Sequence, residues 1–242
     1  MTLETAGLTR SFGGVTALSS ATVRFQHGKV NGLIGPNGSG KTTLFNCVTG
    51  MIKPDAGRVT YRGHDITGSA PHRIARAGIG RSFQLCRVFP RMTVLDNLLV
   101  AVRARGLRAQ LAGARSRDEV ERARGWLARM GIDHLEDIEA RNLSWGQQKL
   151  LELAGVLMAD PATILLDEPA GGVNPALIDR IGKLVQQLNA EGKTFVIVEH
   201  NMDLVMAICD HIVVLDRGRP IAEGPPATIR SDQRVLEAYL GV

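Results

Sequence analysis

A glycine-rich stretch at residues 35–42, Gly-Pro-Asn-Gly-Ser-Gly-Lys-Thr, constrains the fold of this chain more than any other feature. It matches the pattern G-x-x-x-x-G-K-[ST]. An apolar run at residues 30–34 that reads as a strand precedes it, and residues 41–48 read as a helix. A strand, a glycine loop and a helix in this order predict a phosphate-binding loop. The residues predicted to hold the phosphates are Gly35, Pro36, Asn37, Gly38, Ser39, Gly40, Lys41, Thr42 and Thr43.

The residue types in this loop suit a nucleotide. Glycines let the backbone wrap closely, so that successive N–H groups face the β-phosphate. The Lys41 ammonium is expected to bridge the β- and γ-phosphates, and the Thr42 hydroxyl is expected to ligate Mg²⁺. ATP and Mg²⁺ are therefore the predicted ligands, and a glycine turn that only packs is the alternative.

A second apolar strand, predicted at residues 163–166, ends in two adjacent carboxylates. It delivers Asp167 to a sheet edge, where the carboxylate can hold Mg²⁺ through water. Glu168 can orient and deprotonate an attacking water molecule. Two acids at a strand end are also common in surface turns, but their position downstream of a phosphate loop favours the catalytic interpretation.

Composition places the chain among ordinary globular proteins. Its 242 residues, 44% of them hydrophobic with mean hydropathy +0.01, suit one large α/β domain or one domain with an inserted subdomain. No apolar run approaches the ~20 residues of a spanning helix, and the N-terminus lacks the apolar middle of a signal peptide. We expect a cytosolic chain unless a partner holds it elsewhere. Cys47, Cys86 and Cys209 are expected to be reduced thiols in or near the core.

Arginine is concentrated between residues 101 and 130, where eight arginines stand against three acids. Such a segment is typical of a solvated helical face, and it also suits a surface near anionic lipid headgroups or an acidic partner. Nucleic acid is not an expected partner, because Trp126 is the one aromatic residue in this window.

The hydrophobic periodicity divides the chain into regions. Residues 88–142 have helical periodicity without a convincing strand, which predicts an inserted helical subdomain. From residue 163 onward, strands at 163–166, 194–198 and 212–215 alternate with helices near 175–190 and 202–208. Continuous apolar strands alternating with helices predict a largely parallel sheet covered on both faces. Two short helices are expected after Pro225 and Pro226.

A second candidate anion site lies at residues 143–155, Leu-Ser-Trp-Gly-Gln-Gln-Lys-Leu-Leu-Glu-Leu-Ala-Gly. Ser144, Trp145 and Gly146 form a small turn before an apolar-periodic helix, whose N-terminus presents unpaired N–H groups and partial positive charge. One chain thus carries two phosphate-binding features.

The stretch 143–148 resembles the LSGGQ signature of the ATP-binding-cassette (ABC) ATPases, and other positions match that family along nearly the whole chain. The resemblance implies adenine stacking by Phe12, a γ-phosphate contact from His200, and a Mg²⁺ ligand at Gln84 that joins the core to the helical insert. It implies a single nucleotide-binding domain over residues 1–242, with a helical subdomain at 88–142 leading into a signature helix at 144–158. The implied fold is an α/β P-loop cassette with a mainly parallel sheet and an N-terminal antiparallel β subdomain.

In this family, as the resemblance implies, two cassettes pair head to tail. The signature of one chain, here Ser144, Gly146 and Gln147, caps the γ-phosphate bound to the loop of the other. ATP between two anion cradles stabilises the closed pair, and hydrolysis releases it. Two departures are visible: Trp145 stands at a usual glycine, and Asn174 at a frequent aspartate.

The stretches SFQLCRVFPRMTVLDNLLVA, DEPAGGVNP and VEHNMDLVM, together with the ending EAYLG, look like the ATP-binding subunits of bacterial branched-chain (hydrophobic) amino acid importers. The resemblance implies a second cassette, identical or related, two transmembrane permease subunits, a periplasmic binding protein acting indirectly, and a place at the cytoplasmic face of the inner membrane. Two alternatives stay open: an ATPase of lipopolysaccharide extraction or other transport, and a non-transport ABC ATPase of DNA repair or translation.

Overall fold

Two β-sheets form the frame of the described part of the chain, which comprises residues 3–82, 87–101 and 116–240 of this computed structural model. The strands are β1 (Leu3–Phe12), β2 (Val15–Phe25), β3 (Val30–Ile34), β4 (Ala56–Tyr61), β5 (His64–Asp65), β6 (Ile79–Arg81), β7 (Thr163–Asp167), β8 (Thr194–Val198), β9 (His211–Asp216) and β10 (Arg219–Gly224).

The larger sheet has the strand order β10-β9-β3-β8-β7-β6. Its five strands other than β10 are parallel to one another. Every residue of β3, β7 and β8 is buried, as expected for parallel strands with both faces covered. β10 is antiparallel to β9. The prediction of a mainly parallel sheet is confirmed, and the carboxyl ends of β3, β8 and β7 meet at one edge.

The smaller sheet, of order β2-β1-β4-β5, is antiparallel throughout. Leu3, Leu8 and Phe25 on its inner face are buried in one cluster with Leu44 and Phe45 from the helix after the phosphate loop. The antiparallel N-terminal region expected from the family resemblance is therefore present, and it packs directly against the phosphate-loop helix.

Helices cover the parallel sheet. They are α1 (Lys41–Val48), α2 (Pro71–Ala77), α3 (Val94–Val100), α4 (Arg117–Met130), α5 (Trp145–Met158), α6 (Pro175–Ala190), α7 (Met202–Ile208), α8 (Pro226–Ser231) and α9 (Gln233–Leu240), with 3₁₀ turns at Asp133–Leu135 and Ala140–Asn142. In the described ranges, no helix is long and apolar enough to cross a bilayer.

Within residues 88–142, the described segments form α3, α4 and the two 3₁₀ turns, joined by one isolated bridge between Thr93 and Glu139. Leu127 and Met130 of α4 are buried in the core cluster that also contains side chains of α5, the predicted signature helix. Gln84, Cys86 and four of the eight arginines, at 103, 105, 108 and 115, lie outside the described residues.

Candidate functional site

The glycine loop joins the buried end of β3 to α1. Gly35 has φ +145°, and a Cβ there would lie 2.0 Å from the Leu215 carbonyl oxygen, so a side chain cannot fit. Gly40, at the N-cap of α1, has φ +104° in the left-handed region. The loop therefore needs glycine at these two positions for its shape, as the sequence pattern predicted.

Lys41 is buried inside the loop. Its Nζ donates to the carbonyl oxygens of Gly35 (2.8 Å) and Pro36 (2.9 Å) and to the Ser39 hydroxyl (3.4 Å). Burial lowers the pKa of the Lys41 ammonium, and the nearby carboxylates of Glu168 and Asp167 act in the opposite direction. The loop thus holds a partly desolvated cation close to two acids that the sequence predicted as partners of the same nucleotide.

Asp167, at the end of β7, is almost fully buried and forms an ion pair with Arg81 (Oδ2 to Nη2, 2.9 Å). Arg81 also donates to Asn46 Oδ1 (2.8 Å) and Thr49 Oγ1 (2.9 Å), which ties the strand end to α1. Sequence reasoning missed Arg81. Among described residues, Asp167 Oδ1 is buried without a hydrogen-bond partner. A buried, unpaired carboxylate oxygen fits the oxygen-ligand preference of Mg²⁺.

Glu168 has φ +50°, a left-handed conformation that is uncommon for a non-glycine residue and is held here by its neighbours. Its N–H donates to the Val198 carbonyl (2.9 Å), and its carbonyl accepts from Lys149 Nζ (2.8 Å). Its Oε1 lies 3.0 Å from His200 Nε2. The backbone is fixed from two sides, so the carboxylate is directed at the predicted histidine.

Glu199 holds in place both the loop after Glu168 and the loop that carries His200. Sequence reasoning did not assign this role. The carboxylate is 3% exposed and accepts from the N–H groups of Ala170 (2.6 Å), His200 (2.7 Å) and Asn201 (2.9 Å). Its position at the end of a fully buried strand was the available signal, because a buried acid in such a place requires donors.

The signature stretch begins α5 with a capping box. Ser144 Oγ accepts from the N–H of Gln147 (3.3 Å), and Gln147 Oε1 accepts from the N–H of Ser144 (2.8 Å). A Cβ at Gly146 would lie 2.8 Å from Leu177 Cδ2, so this glycine permits close packing against α6. In the described chain, no hydrogen bond or ion pair joins residues 144–147 to residues 35–42.

The two departures from the family pattern have structural explanations. The Trp145 indole, 42% exposed, lies against the loop after Glu168: Nε1 is 3.4 Å from the Gly171 carbonyl, and Lys149 Nζ lies 5.9 Å from the ring centroid. Asn174 is the N-cap of α6, where its Oδ1 accepts from the N–H of Leu177 (2.9 Å).

Phe12 ends β1 and is 43% exposed, so its ring is not a core residue. The Arg10 guanidinium lies 4.8 Å from the ring centroid. A half-exposed ring is available to a flat ligand, and the assignment of adenine stacking stays a prediction. Gln84 lies outside the described residues, so its predicted role stays a prediction as well.

The strand ends bring these groups together. β3 leads into the glycine loop, β7 into Asp167 and Glu168, and β8 into Glu199 and His200, and the three strands are neighbours in the parallel sheet. A phosphate loop, a buried acid with an unpaired oxygen and a carboxylate–histidine pair at one sheet edge define a P-loop ATPase site. The signature helix beside that edge specifies the ABC cassette class.

Comparison with known proteins supports the assignment to the ABC cassette class. A family model described as "ABC transporter" matches residues 18–171, and one described as "Branched-chain amino acid ATP-binding cassette transporter" matches residues 219–242. The chain belongs to the ABC transporter family of ATP-binding proteins, and members of this family hydrolyse ATP.

Similar curated proteins include the high-affinity branched-chain amino acid transport ATP-binding protein BraF of Pseudomonas aeruginosa, 42% identical over 99% of this chain and 97% of its own length. LivG of Escherichia coli K12, with the same transport description, is 39% identical over 99% of this chain and 97% of its own length.

Solved structures agree on the fold. The ADP conformation of MJ1267, an ATP-binding cassette of an ABC transporter, has a TM-score of 0.88 at 38% identity, covering 100% of this chain and 99% of that one. A dimeric post-hydrolysis cassette, MJ0796 bound to ADP and Pi, has a TM-score of 0.79 at 25% identity, covering 93% and 98%.

Proposed function

We propose that this chain is the ATP-binding and ATP-hydrolysing subunit of an importer of branched-chain or other hydrophobic amino acids. The observation that carries the proposal is the meeting of the glycine loop, Asp167, Glu168 and His200 at one sheet edge. Relatives of 39–42% identity over nearly the full length, named for branched-chain amino acid transport, support the substrate class. The comparisons do not favour lipopolysaccharide extraction, DNA repair or translation.

In the proposed site, the N–H groups of residues 38–43 hold the β-phosphate, and Lys41 turns from the loop carbonyls to the β- and γ-phosphate oxygens. Thr42, the unpaired oxygen of Asp167 and, as predicted from the family resemblance, Gln84 hold Mg²⁺. When bound, that ion supplies charge neutralisation at the phosphates. Phe12 stacks on the adenine ring.

Glu168 accepts the proton of the attacking water in this proposal, and His200 contacts the γ-phosphate. Their 3.0 Å separation means that the imidazole can hold the carboxylate in place before the nucleotide arrives. The fixed backbone of Glu168 reduces the reorganisation needed when the water molecule binds.

The signature residues Ser144, Gly146 and Gln147 serve a second chain in the proposed mechanism. Among the described residues, no hydrogen bond or ion pair joins their helix N-terminus to the glycine loop of its own chain, so its anion cradle is available to nucleotide bound elsewhere. Closure of two cassettes on ATP, followed by opening after hydrolysis, is the proposed source of the mechanical work.

The membrane subunits are proposed to dock into a cleft of about 390 Å³ between the sheet core and the helical region. Its lining includes the exposed apolar side chains of Met51, Phe89 and Val100 and none of residues 35–42. Exposed apolar residues gathered in one groove suit a short helix of a permease. Docking there would hold the chain at the cytoplasmic face of the membrane. We propose that residues 1–242 form one nucleotide-binding domain, with a helical subdomain at residues 88–142.

Reconstitution tests this function. Proteoliposomes containing the partner permeases and this chain are expected to take up leucine in the presence of ATP and binding protein, whereas Glu168→Gln is expected to support no sustained uptake. Equal uptake with Glu168→Gln, or transport confined to polar amino acids, would contradict the proposal.

Replacement of Gln84 is expected to reduce stimulation of ATP hydrolysis by the permeases more than basal hydrolysis.

A further inference from the structure

The C-terminal helix α9 reaches the glycine loop through one hydrogen bond. The Tyr239 hydroxyl accepts from the backbone N–H of Gly35 at 2.9 Å. Gly35 is buried, and its carbonyl oxygen accepts from Lys41 Nζ at 2.8 Å. A single residue at the entrance of the loop therefore joins the last helix to Lys41, which is proposed to bind the phosphates.

This contact is specific rather than general packing. Tyr239 is 42% exposed as a whole residue, and α9 borders a cavity of about 590 Å³ whose lining includes Ile34, Met206 and Val235. Apolar packing around the ring is thus incomplete. Without the hydroxyl, the N–H of a buried glycine would lose its acceptor, at the free-energy cost of an unsatisfied buried donor.

The hydroxyl is suited to act as a constant acceptor. A phenol is neutral at physiological pH, and burial raises the pKa of the Tyr239 hydroxyl further, while the hydrogen bond from Gly35 acts in the opposite direction. Tyr239 also lies in the segment that matches the branched-chain amino acid model, residues 219–242, and outside the match of the general ABC model, residues 18–171. The acceptor of this contact therefore lies in the segment that matches the branched-chain amino acid model, whereas its donor, Gly35, lies in the segment that matches the general ABC model.

We propose that Tyr239 is a positioning residue for the nucleotide loop, and that α9 sets the affinity for the nucleotide through Gly35. Because Gly35 is restricted on its other side by the Leu215 carbonyl, the hydroxyl and β9 fix the start of the loop from two directions. The inference rests on the proposed assignment of residues 35–42 as the nucleotide loop.

The test is Tyr239→Phe in the full-length chain, because this change keeps the ring and removes one oxygen. Binding of Mg-ADP and Mg-ATP is measured by calorimetry, since both nucleotides carry the β-phosphate that the loop is proposed to hold. We expect Kd to rise roughly 3- to 10-fold for both, the effect of one lost hydrogen bond. The binding stoichiometry is expected to stay unchanged. Glu237→Gln, an exposed change on the same helix, is the matched control and is expected to leave Kd unchanged.

Three results overturn the inference. Unchanged Kd in Tyr239→Phe, while Lys41→Ala loses binding in the same assay, removes the role of Tyr239 and leaves the loop assignment intact. A lower fraction of active protein with unchanged Kd assigns Tyr239 to folding stability alone. Normal binding by Lys41→Ala refutes the loop assignment, and the inference that rests on it falls as well.

Discussion

Residues 35–42 and residues 144–147 both precede a helix, but they leave different groups available to an anion. The N-cap of α1 is Gly40, which has no side chain to accept from the first-turn N–H groups. The N-cap of α5 is Ser144, which forms a complete capping box with Gln147. Free helical N–H groups bind anions, and a capping box satisfies two of them internally.

We expect this difference to give the two cradles different affinities for phosphate. The glycine loop has no side-chain cap on the N–H groups of α1 and adds a buried lysine, so we expect it to bind nucleotide within a single chain. The signature cradle is partly satisfied and is expected to bind phosphate weakly by itself. In the proposed mechanism it acts only when the glycine loop of another chain presents the nucleotide, so that ATP is the switch for pairing.

The largest expected effect comes from Glu168→Gln. Loss of the proposed general base should reduce hydrolysis by roughly 10²- to 10⁴-fold while leaving both cradles intact. Steady-state phosphate release and ATP binding are the measurements. Turnover at the parent rate would remove Glu168 from the base role.

Lys41→Ala should weaken ATP binding and reduce hydrolysis on the order of 10²-fold, because the glycine loop loses its one charged donor to the β- and γ-phosphates. Lys183→Ala is the matched control: Lys183 is exposed on α6 and pairs with Asp179 four residues earlier. We expect the control to retain both binding and hydrolysis. Equal losses in the two variants would indicate a general charge effect.

The smallest expected effect is spectroscopic and concerns the signature cradle alone. The chain has two tryptophans, so Trp126→Phe in the Glu168→Gln background leaves Trp145 as the single indole. Because Trp145 is half exposed beside the signature, ATP-driven pairing should shift its emission to shorter wavelength, and ADP should not. An ATP-independent spectrum would place Trp145 away from the pairing surface.

Local signals in the sequence were sufficient for much of the fold. The predicted bounds of α1, α6, α7 and β8 coincide with the structure. The reasons are local: Gly40 ends the loop before α1, while Asn174 and Asn201 cap α6 and α7 with side-chain oxygens. The hairpin of β9 and β10 was missed, although Arg217 and Gly218, both with positive φ, form the two-residue turn that such a hairpin uses.

The supporting contacts of the site were not predictable in this way. Arg81 meets Asp167 across 86 positions of sequence, and Tyr239 meets Gly35 across 204. Neither pair has a spacing or residue pattern that indicates contact, because the sheet order brings them together. Single-sequence patterns report local conformation and chemistry, whereas the residues that hold a catalytic group in place are set by tertiary structure.

The most direct test compares Glu168→Gln with the double variant Ser144→Arg/Glu168→Gln by size-exclusion chromatography with light scattering, in Mg-ATP. We predict a dimer for the first and a monomer that still binds ATP for the second, because the arginine side chain obstructs the cradle offered to the partner. Equal dimer formation by both variants would contradict the central claim that each nucleotide is held between two chains.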